Sequence, residues 1–573
     1  MLPAHLKKYV VEQDYSLYTP VDQEVWRYIM RQLRAFLSKH AHPAYGDGLK
    51  KTGIEIDRIP DIRVISEKLE KFGWHAVPVS GFIPPAAFME LQALGYLPIA
   101  SDMRSVDHLL YTPAPDIVHE AAGHAPILVE EEFAGYLKSY AQVARKAIIS
   151  KEDMDQYEAI RVLSDMKEDP DSTRVEIQRA EEDLAKLSSS ISHLSEAALL
   201  GRMNWWTAEY GLIGTLENPR IFGAGLLSSV GEARECLSSK VKKIPLTLDC
   251  VNYAYDITEP QPHLFVTPDF NHLRDVLEEL ANTMAFRLGG VRGLEKAKLA
   301  RTVNTVELNS GVQIAGVLKN FLMSQGDVAY LQFEGPTQLA FDGKELVGHS
   351  KEYHAHGFGS PVGLVEGATK CLSEMSDSEV EKLGISKGHR ATLKFKTGAT
   401  VSGTIKSIAR GPNGKLLLIT FTDCTVTREG QTLFDPSWGV FDMAVGSKVP
   451  SVFGGPADRL AYGETEDFVA KKIPPKVWPE QTRRKHALYA ELREIRESLE
   501  AGRTKADETA SARIQSILKN LDANDWLLRL SAYELSRRVP SDSWRPQLEN
   551  ELKILSSKDP LIKKQIEDGV ALL

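Results

Sequence analysis

Cysteine is scarce. Cys236, Cys250, Cys371 and Cys424 are the only four in 573 residues, and none stands in C-x-x-C spacing. That argues against a disulfide framework or a thiolate zinc knuckle and predicts four buried free thiols in a reducing cytoplasm. No apolar run approaches the ~18 residues a membrane-spanning helix needs. The opening MLPAHLKKYVVEQDYSLY turns polar too early for a secretory hydrophobic region. Positive charge is not in excess either. The net charge of −9 argues against a dedicated nucleic-acid binder, which carries a basic face. The partners expected are therefore small molecules, with neither nucleic acid nor membrane.

What remains is an ordinary globular composition in a chain long enough for two to four domains. Three zones separate. Residues 1–300 read mainly as helix, for example VDQEVWRYIMRQLRAFL at 21–37 and PAAFMELQALGYL at 85–97, with apolar residues at 3–4 spacing. Inside this zone, about 150–198 is highly charged. There Ile177, Ala180, Leu184, Leu187, Ile191, Leu194 and Ala198 step by 3 and 4, a short heptad seam expected in one arm of a projecting helical hairpin. Residues 301–460 turn rich in β-branched residues and glycine, and Asn413-Gly414 between two strand-like runs predicts a hairpin. A small β-rich domain, barrel or sandwich, is expected there. Residues 465–573 return to helix, entered through Pro474, Pro475 and Pro479, with Asn524 as the expected cap of the helix in DWLLRLSAYELSRR. The fold class is thus a mainly α catalytic domain, a β-rich domain and a C-terminal helical region. The hairpin at 151–198 and the helices of 465–573 are the surfaces through which a homo-oligomer would form.

The chemistry concentrates in YTPAPDIVHEAAGHAPIL, residues 111–128. His119 and His124 lie five apart, not the four of a zinc-protease H-E-x-x-H. On a regular helix that step leaves the side chains ~140° apart. A π-type bulge would bring them together, such bulges favour functional sites, and Gly123 eases the distortion. The spacing permits a shared metal without establishing one. In GRMNWWTAEYGLIG (201–214), Glu209 is the lone carboxylate among Trp205, Trp206 and Tyr210. Such an acid is either partly exposed or bound to a cation. Two histidines and a carboxylate together make the facial triad of non-haem Fe(II) oxygenases, whose open positions admit O2.

Three blocks then resemble the pterin-dependent aromatic amino acid hydroxylases. They are Pro115-Asp116 with His119-Glu120 and Gly123-His124; Trp205 with Glu209-Tyr210-Gly211; and Gly223 through Ser229 with Gly231-Glu232. The resemblance covers roughly residues 10–290. It implies that His119, His124 and Glu209 bind Fe(II). It implies that Arg104 pairs with the substrate carboxylate, as a planar guanidinium suits. Thr112, Gly225 and Ser228 would contact the amino acid backbone, and Trp205 would pack near its ring. Phe88 would stack on a tetrahydropterin, with Ile83 and Pro85 on the same loop and Glu120 beside it. The implied reaction is mono-oxygenation of a free aromatic amino acid. Trp205, Val266 and the run LGYLPIASDMR resemble phenylalanine enzymes more than tyrosine or tryptophan enzymes, so phenylalanine 4-hydroxylation is expected, with tyrosine or tryptophan as the alternatives. A zinc hydrolase using Glu120 as base and a non-catalytic scaffold are the rivals from other classes. The resemblance does not extend to residues about 301–573, where His354-Ala355-His356 reads as polar surface rather than a second metal site.

Overall fold

The computed structural model describes residues 2–81, 83–109, 115–168, 172–255, 260–463 and 477–573. Helices dominate to residue 300, strands occupy 303–454, and helices return over 480–570. The helix Pro20–His40 illustrates why the first zone folds as it does. Thr19 and Asp22 form a reciprocal capping box, Pro20 fits the first turn, and Lys39 and His40 sit at the negative end of the helix dipole. Val25, Trp26, Ile29, Met30, Leu33 and Leu37 are all at most 2 % exposed, giving one buried stripe.

The run 85–97 is not a single helix. The helix stops at Ala93, Gly95 takes a left-handed φ of 79°, and Tyr96–Ala100 becomes a strand paired in parallel with His75–Val79. The chain reverses at the one residue type that adopts this φ without strain. Helices Lys151–Glu168 and Arg174–Ser190 form the expected hairpin. Ile177, Ala180, Leu184 and Leu187 are its half-buried seam. The seam ends there, because the helix stops at Ser190 and a new one begins at Glu196, so Ile191, Leu194 and Ala198 do not continue it.

Two antiparallel sheets build the β-rich zone. The first runs in the order Lys344–Glu345, Asp327–Phe341, Val312–Ser324, Val303–Glu307, Ser451–Gly454, with Gly357–Pro361 also on Asp327–Phe341. Its first and last long segments, Val303–Glu307 and Ser451–Gly454, pair with each other. The second runs Arg390–Lys394, Ala399–Arg410, Leu416–Arg428, Gln431–Phe434, with Phe441–Ala444 on Leu416–Arg428. The Asn413-Gly414 turn sits where its dipeptide predicts, and Gly414 has φ 75°.

Of the three prolines read as the start of the last zone, Pro474 and Pro475 lie outside the described residues. The helix Trp526–Ser536 is capped by Asp525, whose carboxylate accepts from the Leu528 N–H. Asn524, one residue too early for that geometry, accepts instead from Lys558. The C-terminal helices are not a separate body. Tyr489, Leu492, Ile495, Trp526, Leu530 and Ile566 belong to the same buried cluster as Trp26 and Ile29. A charged seam runs beside it. Arg27 pairs with Glu534 at 2.6 Å and Asp57 at 3.0 Å, Arg496 with Glu24 at 2.9 Å, and Arg31 also reaches Glu534.

Candidate metal centre

The segment from Val118 to His124 is a π-helical turn. The Ala125 N–H donates to the Glu120 carbonyl five residues back, so the wider turn closes the angle that a regular helix leaves between His119 and His124. Their Nε2 atoms are 3.3 Å apart. A second π-helical turn spans Trp205–Glu209, closed by the Tyr210 N–H on the Trp205 carbonyl at 2.9 Å. It presents the Glu209 carboxylate to the same point, with Oε2 3.4 Å from His119 Nε2 and Oε1 3.3 Å from His124 Nε2. Nothing in the sequence of this second segment announces its π turn.

Two donors bound at ~2.1 Å to one ion and ~90–100° apart are themselves ~3.0–3.2 Å from each other. The three edges of 3.3–3.4 Å therefore fit one ion on one face, and the donor set of two imidazoles and a hard carboxylate suits Fe(II). Glu120 is the less apt ligand, its Oε2 standing 3.9 Å from His124 Nε2. The two carboxylates are also shifted in opposite directions. Burial alone would push Glu209 up, but His124 and His119 beside it hold it well below the ordinary carboxylate range. Burial pushes Glu120 up to about 8 against the pull of His124, with Glu209 and Asp116 adding to the rise.

His119 is oriented from behind. The Ser228 hydroxyl donates to the Ala224 carbonyl at 2.7 Å and lies 3.1 Å from His119 Nδ1. Its one proton being used, it accepts from Nδ1–H, which leaves the Nε2 lone pair facing His124 and Glu209. The backbone is close here, and two glycines make room. A Cβ on Gly123 would lie 2.6 Å from the Ala224 carbonyl oxygen, and one on Gly225 would lie 2.9 Å from the Tyr210 ring.

These groups open onto a cavity of about 1190 Å³. It is lined by Ile83, Pro85, Phe88, Arg104, His119, Glu120, Trp205, Glu209, Gly225 and Ser228, every described site residue named from the sequence except His124, which is buried beside His119. Thr112 lies outside the described residues. Arg104 is held by a bidentate pair to Asp116, Nε to Oδ2 at 2.6 Å and NH2 to Oδ1 at 2.7 Å. Asp116 also accepts the His119 backbone N–H at 3.0 Å. The sequence reading gave Asp116 no role, although the Pro-Asp before the first histidine was its visible signal. Trp205 stacks between Tyr210 (4.6 Å, 25°) and Tyr255 (4.3 Å, 11°). Tyr255 is a cavity residue that no motif singled out. The walls also come from beyond residue 300, including Thr302, Val317 and Arg459.

A triangle of two imidazoles and a carboxylate in a mainly helical domain, opening on a cavity with a fixed guanidinium and a stacked indole, makes a candidate mononuclear metal site beside a pocket for a small molecule. Residues 9–159 and 176–293 match the family described as biopterin-dependent aromatic amino acid hydroxylase. The chain is 30 % identical over 274 residues to the phenylalanine-4-hydroxylase of Mesorhizobium japonicum, covering 47 % of this chain and 83 % of that protein. Against the phenylalanine-4-hydroxylase of Pseudomonas aeruginosa the figures are 28 % over 264 residues, 46 % and 84 %. The crystal structure of Chromobacterium violaceum phenylalanine hydroxylase with bound iron(III) and 7,8-dihydrobiopterin is 26 % identical over 49 % of this chain and 87 % of that one, with a TM-score of 0.39. The chain belongs to the biopterin-dependent aromatic amino acid hydroxylase family. It is a pterin-dependent aromatic amino acid hydroxylase of the family that uses non-haem iron and tetrahydrobiopterin. That sets aside the zinc-hydrolase and scaffold alternatives. Among the described residues, no helix is long and apolar enough to cross a membrane.

Proposed function

We propose that this enzyme hydroxylates L-phenylalanine to L-tyrosine, with Fe(II) held by His119, His124 and Glu209. The observation that carries the reading is the triangle of donor atoms 3.3–3.4 Å apart, set in the wall of a cavity that also holds Arg104 and Trp205. When bound, iron and tetrahydropterin supply the oxygen activation. The chain's own residues bind, orient and exclude water. Arg104, kept in one geometry by Asp116, receives the substrate carboxylate, and Gly225, Ser228 and Thr112 meet its backbone. Phe88, with Ile83 and Pro85, forms the pterin-stacking wall. Glu120 is the polar contact beside the pterin, supported by its buried Oε2, which has no hydrogen-bond partner, a state a ligand N–H or a water would relieve.

Phenylalanine is supported by the relatives described above, which are named phenylalanine-4-hydroxylases at 28–30 % identity.

The test is one assay. The purified chain receives Fe(II), tetrahydropterin, O2 and an equimolar mixture of phenylalanine, tyrosine and tryptophan. Tyrosine is the expected product, lost in Glu209→Ala. Dihydroxyphenylalanine or 5-hydroxytryptophan as the main product would overturn the substrate, and no pterin-dependent product at all would overturn the reading.

A further inference from the structure

Far from these ligands in sequence, the β-rich zone gathers a second set of donor atoms. His349 and His354 sit on the loop after the strand Lys344–Glu345, and Asp442 sits on the strand Phe441–Ala444. One ligand atom from each lies within 4.8 Å of the others. His349 Nδ1 and His354 Nε2 are 3.2 Å apart. Two imidazole nitrogens at ~2.05 Å from one ion, at tetrahedral angles, are ~3.3 Å apart.

The loop is built to hold this geometry. The His349 carbonyl accepts from the Leu339 N–H at 3.0 Å and the His354 carbonyl from the Thr337 N–H at 3.2 Å, pinning both residues to the strand Asp327–Phe341. The His354 ring meets Phe358 edge-on at 5.2 Å. Asp442 is 5 % exposed, and no lysine or arginine among the described residues pairs with it. Its carboxylate accepts from Thr420 at 2.7 Å and is reached by the Tyr353 hydroxyl. A buried carboxylate is normally paired with a cation or bound to a metal, and a ligating carboxylate is characteristically oriented by such hydrogen bonds. His356, the neighbour suggested by the His-Ala-His run, is exposed and takes no part.

We propose that His349, His354 and Asp442 form a second metal site, for a divalent transition ion of the zinc class, separate from the catalytic iron. Imidazole and carboxylate without thiolate suit Zn(II), with the fourth position left to water or to Tyr353. The site is placed to brace the catalytic cavity. On the same loop, Lys351 lies over the Tyr462 ring at 4.9 Å. Tyr462 closes the short helix Arg459–Tyr462, whose Arg459 and Leu460 line the cavity.

The test uses the full chain without an affinity tag, carrying His119→Ala and Glu209→Ala so that the catalytic site no longer competes. Stripped of metal and titrated calorimetrically with Zn(II) alone, it is expected to bind one equivalent. Co(II) in its place is expected to give the intense visible absorption of a four-coordinate ion. Adding His354→Ala abolishes both signals, and His349→Ala, at a half-buried loop position, does the same with the fold checked by circular dichroism. Thr420→Val, which removes only the orienting hydroxyl, weakens binding about tenfold or more. No stoichiometric Zn(II) in the starting variant would overturn the proposal. So would Zn(II) binding that survives both histidine substitutions unchanged.

Discussion

Ser228→Ala removes a single oxygen and tests how the first histidine is prepared for its ion. The hydroxyl gives its proton to the Ala224 carbonyl at 2.7 Å and accepts from His119 Nδ1 at 3.1 Å. Without it, the imidazole loses the contact that fixes both its tautomer and its rotation, while the Cβ and the local packing stay. Loss of a hydrogen-bond partner behind a metal ligand typically weakens metal affinity by about 10–100-fold, or about 1.4–2.8 kcal/mol. The stability change should stay near the ~1 kcal/mol of one hydrogen bond. The assay is Fe(II) titration of metal-free protein against a competing chelator, with no amino acid present, so that any contact of Ser228 with substrate does not enter. Saturating iron should then restore much of the turnover. An iron affinity within twofold of wild type would refute the reasoning, because the Nε2 lone pair would then be set by something other than Ser228.

Glu534→Gln should destabilise by about 1.5–3 kcal/mol, because it removes one charged partner of the buried Arg27, which keeps Asp57 and Glu24; urea unfolding measures it. Burial alone would raise the Glu534 pKa, but Arg27, Arg31 and Arg496 hold it below 4.5. Its contribution is therefore present above pH 4.5 and lost as pH falls through the lower folded value, so wild type and variant should converge in acid; a gap that persists there would contradict the assignment. Burial pushes the Cys236, Cys250 and Cys424 thiols up to about 12, and Cys371 is buried too. A disulfide reagent at pH 8 should react slowly with native protein and rapidly with all four thiols in guanidinium, and a fast native thiol would be inconsistent with that packing. Removing residues 477–573 uncovers the face of Pro20–His40 that carries Tyr28, whose ring meets Trp526 at 5.5 Å, and Arg27. Each large apolar side chain so exposed costs about 1.5–3 kcal/mol, so the shortened chain should aggregate, and a soluble, fully active product would show that the shared core is dispensable.

The candidate metal ligands were legible in the sequence because their chemistry is local. His119 and His124 are five residues apart, a step that lets them share one ion only through a π-type bulge, and the structure has a π-helical turn there. Glu209 stood out as the lone acid among aromatics, a pattern that suits a partly exposed glutamate as well as a ligand, and only the family resemblance assigned it. The second π turn, at Trp205–Glu209, was not legible, since its apolar residues suit a regular helix equally well. Asp116 and Tyr255 were missed for a different reason: what each does depends on where Arg104 and Trp205 come to lie, which is tertiary information. Strand and hairpin signals located the β-rich zone, yet the pairing of Val303–Glu307 with Ser451–Gly454 joins residues about 150 apart, beyond any local pattern. The pairing of His349 with His354 and Asp442 was hidden in the same way. The eye goes to His354-Ala355-His356, but in an extended run alternate residues tell nothing of which histidine the loop turns toward a distant strand.

The same distinction explains why the chain behaves as more than a hydroxylase with appendages. The helix Pro85–Ala93 carries Phe88, the residue proposed to stack on the pterin, and also Glu90, which is 8 % exposed. Arg459, from the far end of the β-rich zone, reaches Glu90 at 3.5 Å and donates to the Arg145 carbonyl at 3.0 Å. His5 approaches the same carboxylate at 3.0 Å. Two distant parts of the chain, His5 and Arg459, therefore converge on the helix that carries Phe88. A partly buried ion pair of this kind adds little net stability, but it is sensitive to geometry, because separating the partners leaves a buried charge unmatched. Residues beyond 300 supply no ligand to the candidate metal triangle, yet Thr302, Val317 and Arg459 line the cavity onto which it opens.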